Sequence, residues 1–399
     1  QNRAYPSTMS RRALATLALV FALVSCSTPS APSSPTTPVS PPPRPSATGQ
    51  PSASGTPRAD GLVKWPDNSK VSHIFFHSLV VDTDRGFDPK RSTSAGIEQY
   101  MVTQYEFNKI LDSLYAKGYV LVHPQRLAAK DASGVMKWTP LYLPAGKTPL
   151  VLSVDDMSYN KVTVGNGFAT RLTLTPDGKV TNDYTDAAGN TTQGAYDVTT
   201  VLDEFVAKHP DFSFEGDKGT IALTGYEGVL GYKSSPYVYG DNDTTKAEAA
   251  KAKAVADALK ASGWKFASHS YGHRNYTKFS VGAIQKDMGT WLADVSPIIG
   301  KTDMLIYAFG ADISDVKPYT KANPKYAYLS SVGFDYFFNV DGSTPAWMQL
   351  QPGSLRQGRI NIDGITLSRA IQGKTKILDG FFDPKAVLDP KRPMPTPGT

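Results

Sequence analysis

The sequence predicts an α/β chain folded as a distorted (β/α)7-8 barrel with an inserted β-hairpin region. Three observations predict it. Short apolar runs alternate with segments of helical period along most of the chain, the pattern of parallel strands covered by helices. The strand-like runs are numerous enough to favour a closed barrel over an open sheet. Acidic residues sit where one of those runs ends, and strand ends are where such barrels keep their chemistry.

Taken in order, "VSHIFF" (71–76) reads as the first strand. "TQYEFNKILDSLYAKG" (103–118) reads as a helix, with Thr103 and Glu106 as a capping box, Phe107, Ile110, Leu111 and Leu114 on one face, and Gly118 as its stop. "YVLV" (119–122) and "PLVLSV" (149–154) are strands. "VTTVLDEFVAKH" (198–209) is a helix capped by Asp197, "TIALTG" (220–225) a strand, and "TKAEAAKAKAVADALKASG" (245–263) an Ala/Lys/Glu helix closed by Gly263. The alternation continues through strand 264–269, a helix over 281–299, strand 303–310, helix 323–333 and strand 334–340. One stretch breaks it: 166–196 alternates Arg171-Leu172-Thr173-Leu174-Thr175 and then turns at Pro176-Asp177-Gly178 and Gly189-Asn190. It predicts hairpins inserted after the third strand, within an insertion at 157–196 that forms either a wall of the site or a surface decoration.

The domain proper is placed at 61–390. Before it, "MSRRALATLALVFALVSC" joins a basic pair, Arg11 and Arg12, to an apolar segment too short to span a bilayer comfortably, ending at the chain's one cysteine, Cys26. Leu23-Val24-Ser25-Cys26 resembles a lipobox, which makes 1–26 a pre-sequence and lipoprotein signal peptide, Cys26 the lipidation site, and the location extracytoplasmic, on the cell membrane through the lipid anchor. Residues 27–60 are Pro, Ser and Thr with few apolar side chains, which predicts a disordered, semi-rigid spacer. The end, 391–399, reads as a disordered tail. The chain carries a formal charge of +6, part of it in Arg3, Arg11, Arg12, Arg44 and Arg58 of the first sixty residues, and shows no dense basic stripe. Nucleic acid is therefore not an expected partner.

The strand "PLVLSV" drives into two adjacent acids, Asp155 and Asp156. Neighbouring carboxylates repel, and burying either is costly unless a cation meets it. "ASHSYGHRN" (267–275) supplies the matching chemistry: His269 and His273 are four apart at another strand end. Two neutral imidazoles and one carboxylate, Asp156, suit a divalent metal, Zn²⁺ first and Co²⁺, Ni²⁺, Mn²⁺ or Fe²⁺ after it. Three protein ligands leave positions open for water and substrate, and Asp155 remains free as general base.

These residues resemble the polysaccharide deacetylases of carbohydrate esterase family four, in a divergent bacterial lipoprotein branch. The family's first motif, Thr-Phe-Asp-Asp-Gly, reads here Ser153-Val154-Asp155-Asp156-Met157; its second, His-Ser/Thr-x-x-His, reads His269-Ser270-Tyr271-Gly272-His273. The resemblance runs from about 70 to 385. It implies metal-dependent removal of N- or O-acetyl groups from a cell-surface or extracellular glycan, with an acetylated polysaccharide or peptidoglycan as partner. It implies Asp155 as base, Asp156, His269 and His273 as ligands, and Ser270 as a brace of the second-motif loop.

The third motif, Arg-x-x-Pro-Tyr in the family, is here "IYAFG" (306–310), without its arginine and proline. Arg359, at another strand end, is the expected substitute. No histidine follows His273, so the last-motif acid is missing and the general acid is unassigned; His77, at the end of the first strand, is the other histidine placed to serve the pocket. Tyr159, Tyr226, Tyr271, Phe309 and Trp347 are expected to contact sugar. His73 reads as structural, and His209 as a helix-end cap. The missing motif residues also admit a second function, a non-catalytic glycan-binding lipoprotein on a degenerate fold.

Overall fold

The computed structural model describes residues 52–394. Cys26, the lipobox and the spacer up to residue 51 lie outside them. Among the described residues no helix is long and apolar enough to cross a membrane.

Seven strands close a barrel: β1 (Ser72–Phe76), β2 (Thr148–Asp155), β3 (Thr220–Leu223), β4 (Lys265–Ser268), β5 (Met304–Ile306), β6 (Tyr336–Val340) and β7 (Ser354–Asn361). Each pairs in parallel with the next, and β7 returns to β1. Strands buried on both faces read as continuous apolar runs, which is why β1, β2 and β3 are legible; every residue of these three is buried.

Two distortions mark the ring. The strand Tyr119–Leu121 pairs with the first half of β2, while β3 pairs with its second half, so the two share one edge. On the other side, β4 and β5 meet at a single pair, Ser268 with Leu305.

The helices α1 (Gln104–Ala116), α2 (Val198–Lys208), α3 (Asp243–Ala261), α4 (Val281–Asp294), α5 (Pro324–Ser331) and α6 (Gly364–Ile371) follow strands in the expected order. Thr103 and Glu106 form the predicted capping box of α1, and Asp197 caps α2. The helix expected over 281–299 breaks in two, because Pro297 begins a separate turn at Ser296–Ile299. The insertion is a three-stranded antiparallel meander, Arg171–Leu174, Val180–Thr185 and Thr191–Gly194. Its turns hold Gly178 and Gly189 at positive φ.

Both ends pack further than composition suggests. Ala53 is buried and its N–H donates to Lys147 O. Arg392, in the expected tail, is buried against Glu106.

Candidate metal centre

β2 delivers its last carboxylate inward and the next one to the rim. The Asp155 side chain is 3% exposed, and that of Asp156 is 29% exposed. β4 ends at Ser268, and the chain after it loops so that His269 and His273 face Asp156. Asp156 Oδ1 lies 3.9 Å from His269 Nε2, and Oδ2 lies 3.7 Å from His273 Nε2. One donor atom from each of the three lies within 4.8 Å of the others. Two sequence positions more than a hundred residues apart thus converge on one ion-sized space.

The donor set fits a divalent ion. His269 Nδ1 is 2.9 Å from Ile306 O, so Nδ1 keeps the proton and donates to that carbonyl, which leaves the Nε2 lone pair toward the two acids, 3.9 Å from an oxygen of each. Burial, ahead of every other influence, holds the His269 pKa below its ordinary value, which keeps the imidazole in its ligating form.

The loop is strained and pinned. Asp156, Tyr159, Ser270, His273 and Phe309 all adopt positive φ, a costly conformation for residues with a Cβ and one that clusters at functional sites. Asp287 on α4 compensates. Its carboxylate accepts from Tyr271 N at 2.9 Å, Gly272 N at 2.9 Å and the Tyr276 hydroxyl at 2.8 Å. Ser270 Oγ accepts from Arg274 N at 2.7 Å, placing Ser270 as a brace of this loop.

Asp155 meets Arg359, which comes from β7. Arg359 Nη1 donates to Asp155 Oδ1 at 2.8 Å and Nη2 to Oδ2 at 2.9 Å, a bidentate pair. Burial pushes the Asp155 carboxyl up; the charges of Arg359 and His269 outweigh it and hold the group well below the usual carboxylate range. The guanidinium stacks over Phe75 at 3.9 Å. Arg359 thus reaches from β7 the carboxylate that ends β2.

His77 follows β1. Its Nδ1 is buried with no hydrogen-bond partner among the described residues, and its ring packs edge-on against Phe75 at 5.7 Å. Asp363, the N-cap of α6, accepts from Thr366 N and Asn361 Nδ2, both at 2.7 Å, and burial raises it to about 6. Asp363 was not singled out by the sequence; the strand before it, β7, has polar inward residues and no apolar run.

Phe309 stands 64% exposed with its ring 4.3 Å from that of His273. Tyr226 is half-buried and feels the Asp156 charge. Tyr159 and Tyr271 differ from expectation. Both are buried, because the Tyr159 hydroxyl is held by Asn182 of the insertion at 3.1 Å and that of Tyr271 by Ser235 at 2.7 Å. They brace the rim instead of lining it. Trp347 packs on the Arg356 guanidinium at 5.3 Å, which in turn binds carbonyls of the loop after β5. His209, at the end of α2, packs between Tyr115 and Phe205.

No family model and no curated protein sequence matches the chain. Among solved structures it is similar to the Streptococcus pyogenes deacetylase PplD in complex with acetate, at 13% identity and a TM-score of 0.39, over 77% of this chain and 97% of that one. Likeness at that level carries no argument; the fold rests on the strand pairing and the site on its distances.

Proposed function

We propose that this chain is a metal-dependent deacetylase that removes N- or O-acetyl groups from a cell-surface or extracellular glycan. The observation that carries the reading is the convergence of Asp156, His269 and His273 beside a second, arginine-held carboxylate, Asp155. The three residues would hold the ion, Zn²⁺ first and Co²⁺, Ni²⁺, Mn²⁺ or Fe²⁺ next. When bound, a divalent ion supplies a Lewis acid that polarises a carbonyl and makes water more acidic.

The chain's own groups do the rest. Asp155 is ionised at neutral pH and accepts a proton from the attacking water; Arg359 fixes its two oxygens. His77, beside Asp155 and Asp363, donates the proton that the leaving amine or alkoxide needs. Phe309 and Tyr226 offer planar faces to a sugar ring. The acetylated glycan as substrate rests on the two motifs, and the membrane-anchored, extracytoplasmic location on the sequence around Cys26.

The test is metal titration followed by acetate release from acetylated peptidoglycan and chitooligosaccharides. Asp155→Asn is expected to keep the metal and lose turnover. An active Asp155→Asn sinks the assignment of the base. The absent motif histidine favours a second reading, non-catalytic glycan binding. Metal and glycan binding without acetate release from any substrate supports that reading.

A further inference from the structure

Arg359 does more than pair with Asp155. Its Nη1 also donates to Ser153 Oγ at 3.1 Å. Ser153 Oγ is 2.8 Å from His73 Nε2, His73 Nδ1 is 3.1 Å from Gln357 Oε1, and Gln357 Nε2 donates to Val71 O at 3.0 Å. Ser153, Gln357 and Arg359 are 0% exposed and His73 is 1% exposed. They come from three neighbouring strands, His73 from β1, Ser153 from β2, and Gln357 and Arg359 from alternate positions of β7.

Hydrogen-bond parity gives this chain one direction. The terminal carbonyl of Val71 accepts only, so Gln357 turns its amide N–H there and its oxygen to His73. His73 then donates from Nδ1 and accepts at Nε2, and the Ser153 hydroxyl donates to it. The Ser153 lone pair is left for Arg359. Every link is satisfied only with a neutral imidazole, and burial favours that form. A polar column in a barrel interior is a poor source of stability, since apolar residues of similar size do as well or better. Such a column does fix geometry, because each group has one partner arrangement.

We propose that Ser153 and His73 are positioning residues for the reaction: they set the rotation of the Arg359 guanidinium and so the angle at which the Asp155 carboxylate faces the metal site. The proposal rests on the reading of Asp155 as the base. Without Ser153, Arg359 keeps Asp155, its Nε bond to Asn339 O at 3.2 Å and the Phe75 stack, but Nη1 loses its second acceptor and the guanidinium can tilt against the carboxylate.

Two readouts test it on the full chain loaded with Zn²⁺. The first is the arginine side-chain ¹H–¹⁵N spectrum, with the Arg359 signals identified by their loss in Arg359→Lys. Ser153→Ala is expected to shift and broaden them, and Ser153→Thr, which keeps the hydroxyl, to restore them. The second is steady-state acetate release. Ser153→Ala is expected to lower kcat about tenfold or more with KM and Zn²⁺ affinity unchanged, and His73→Leu to do the same. Wild-type guanidinium signals in Ser153→Ala overturn the proposal, as does a lowered melting temperature with unchanged kcat. If the wild-type chain releases no acetate, the proposed activity fails while the guanidinium spectrum still decides the role of Ser153. If Ser153→Ala does not fold, His73→Leu supplies both readouts.

Discussion

Asp155 and Asp156 are adjacent in sequence and opposite in environment. One is sealed against Arg359 with one of the two imidazoles, His269, at 3.9 Å; the other faces both imidazoles at the rim. β2 ends at Asp155, and the chain turns at Asp156, whose φ is 61°, so the strand end itself separates the two side chains. Asp156→Asn is therefore expected to lower Zn²⁺ affinity by more than about a hundredfold, beyond the range that outer-shell changes reach. A chelator competition measures it, and unchanged affinity removes Asp156 from the ligand set. His123 allows a different single-residue test. Burial, opposed by Asp217, lowers its pKa to about 4 in the fold, and its Nε2 donates to Gly263 O at 2.9 Å. The folded state keeps the ring neutral while the unfolded chain takes a proton below its ordinary value near 6.5. Stability from this group is thus complete above that value and is lost as pH falls toward 4. The loss is on the order of 3 kcal/mol. Urea unfolding at several pH values should show the decline, and His123→Gln should flatten that part of it.

At the scale of elements, the second-motif loop depends on a helix the motif does not include. Asp287 sits on α4 and holds Tyr271, Gly272 and Tyr276, which keeps a loop with two left-handed residues, Ser270 and His273, in its ligating shape. Asp287→Ala should leave α4 folded, since Ala is the best helix former, yet cost about 10–100-fold in Zn²⁺ affinity. Equal affinity in the variant shows that the loop holds itself. The sequence makes some of this legible and not the rest, for a physical reason. β1, β2 and β3 each carry an apolar run, so they read as strands, and Thr103, Glu106 and Asp197 announce their helices by capping chemistry that is local. β7 is buried like β2 except at its last residue, Asn361, but its inward residues are Gln357 and Arg359, which satisfy partners on β1 and β2. A strand whose interior face is polar has no apolar run to recognise. Arg359 could be singled out only as a substitute for a missing arginine; Ser153, His73 and Asp287 gain their meaning from contacts that no local pattern encodes. Tyr159 and Tyr271 misled because aromatic residues beside a motif brace a rim as readily as they line it.

For the whole molecule, closure depends on chain that composition assigns to a loose end. Arg392 Nε donates to Glu106 Oε1 at 2.6 Å and Nη2 to Oε2 at 2.7 Å, and its remaining N–H groups reach Glu98 O and Met101 O. The pair is 1% and 0% exposed. It ties the C-terminal segment to α1 and to the helix Ser94–Tyr100, across 286 residues of sequence. The same Glu106 closes the capping box of α1, so one carboxylate serves a local cap and a long-range clasp. Removing one partner of a buried pair leaves the other charged and unsolvated, which costs far more than the pair contributes net. Arg392→Ala is therefore expected to lower stability by about 3–5 kcal/mol in urea unfolding. Replacing both partners separates the two effects. Glu106→Gln retains a side chain able to serve the cap, and with Arg392→Met it removes both charges. The double variant should recover a large part of the loss. Zn²⁺ affinity of the folded protein should stay as in the wild type in both variants, because neither residue touches the metal side chains. A single variant with wild-type stability makes the C-terminal segment dispensable, and a double variant no better than the single shows that packing by Arg392, not its charge, holds the segment down.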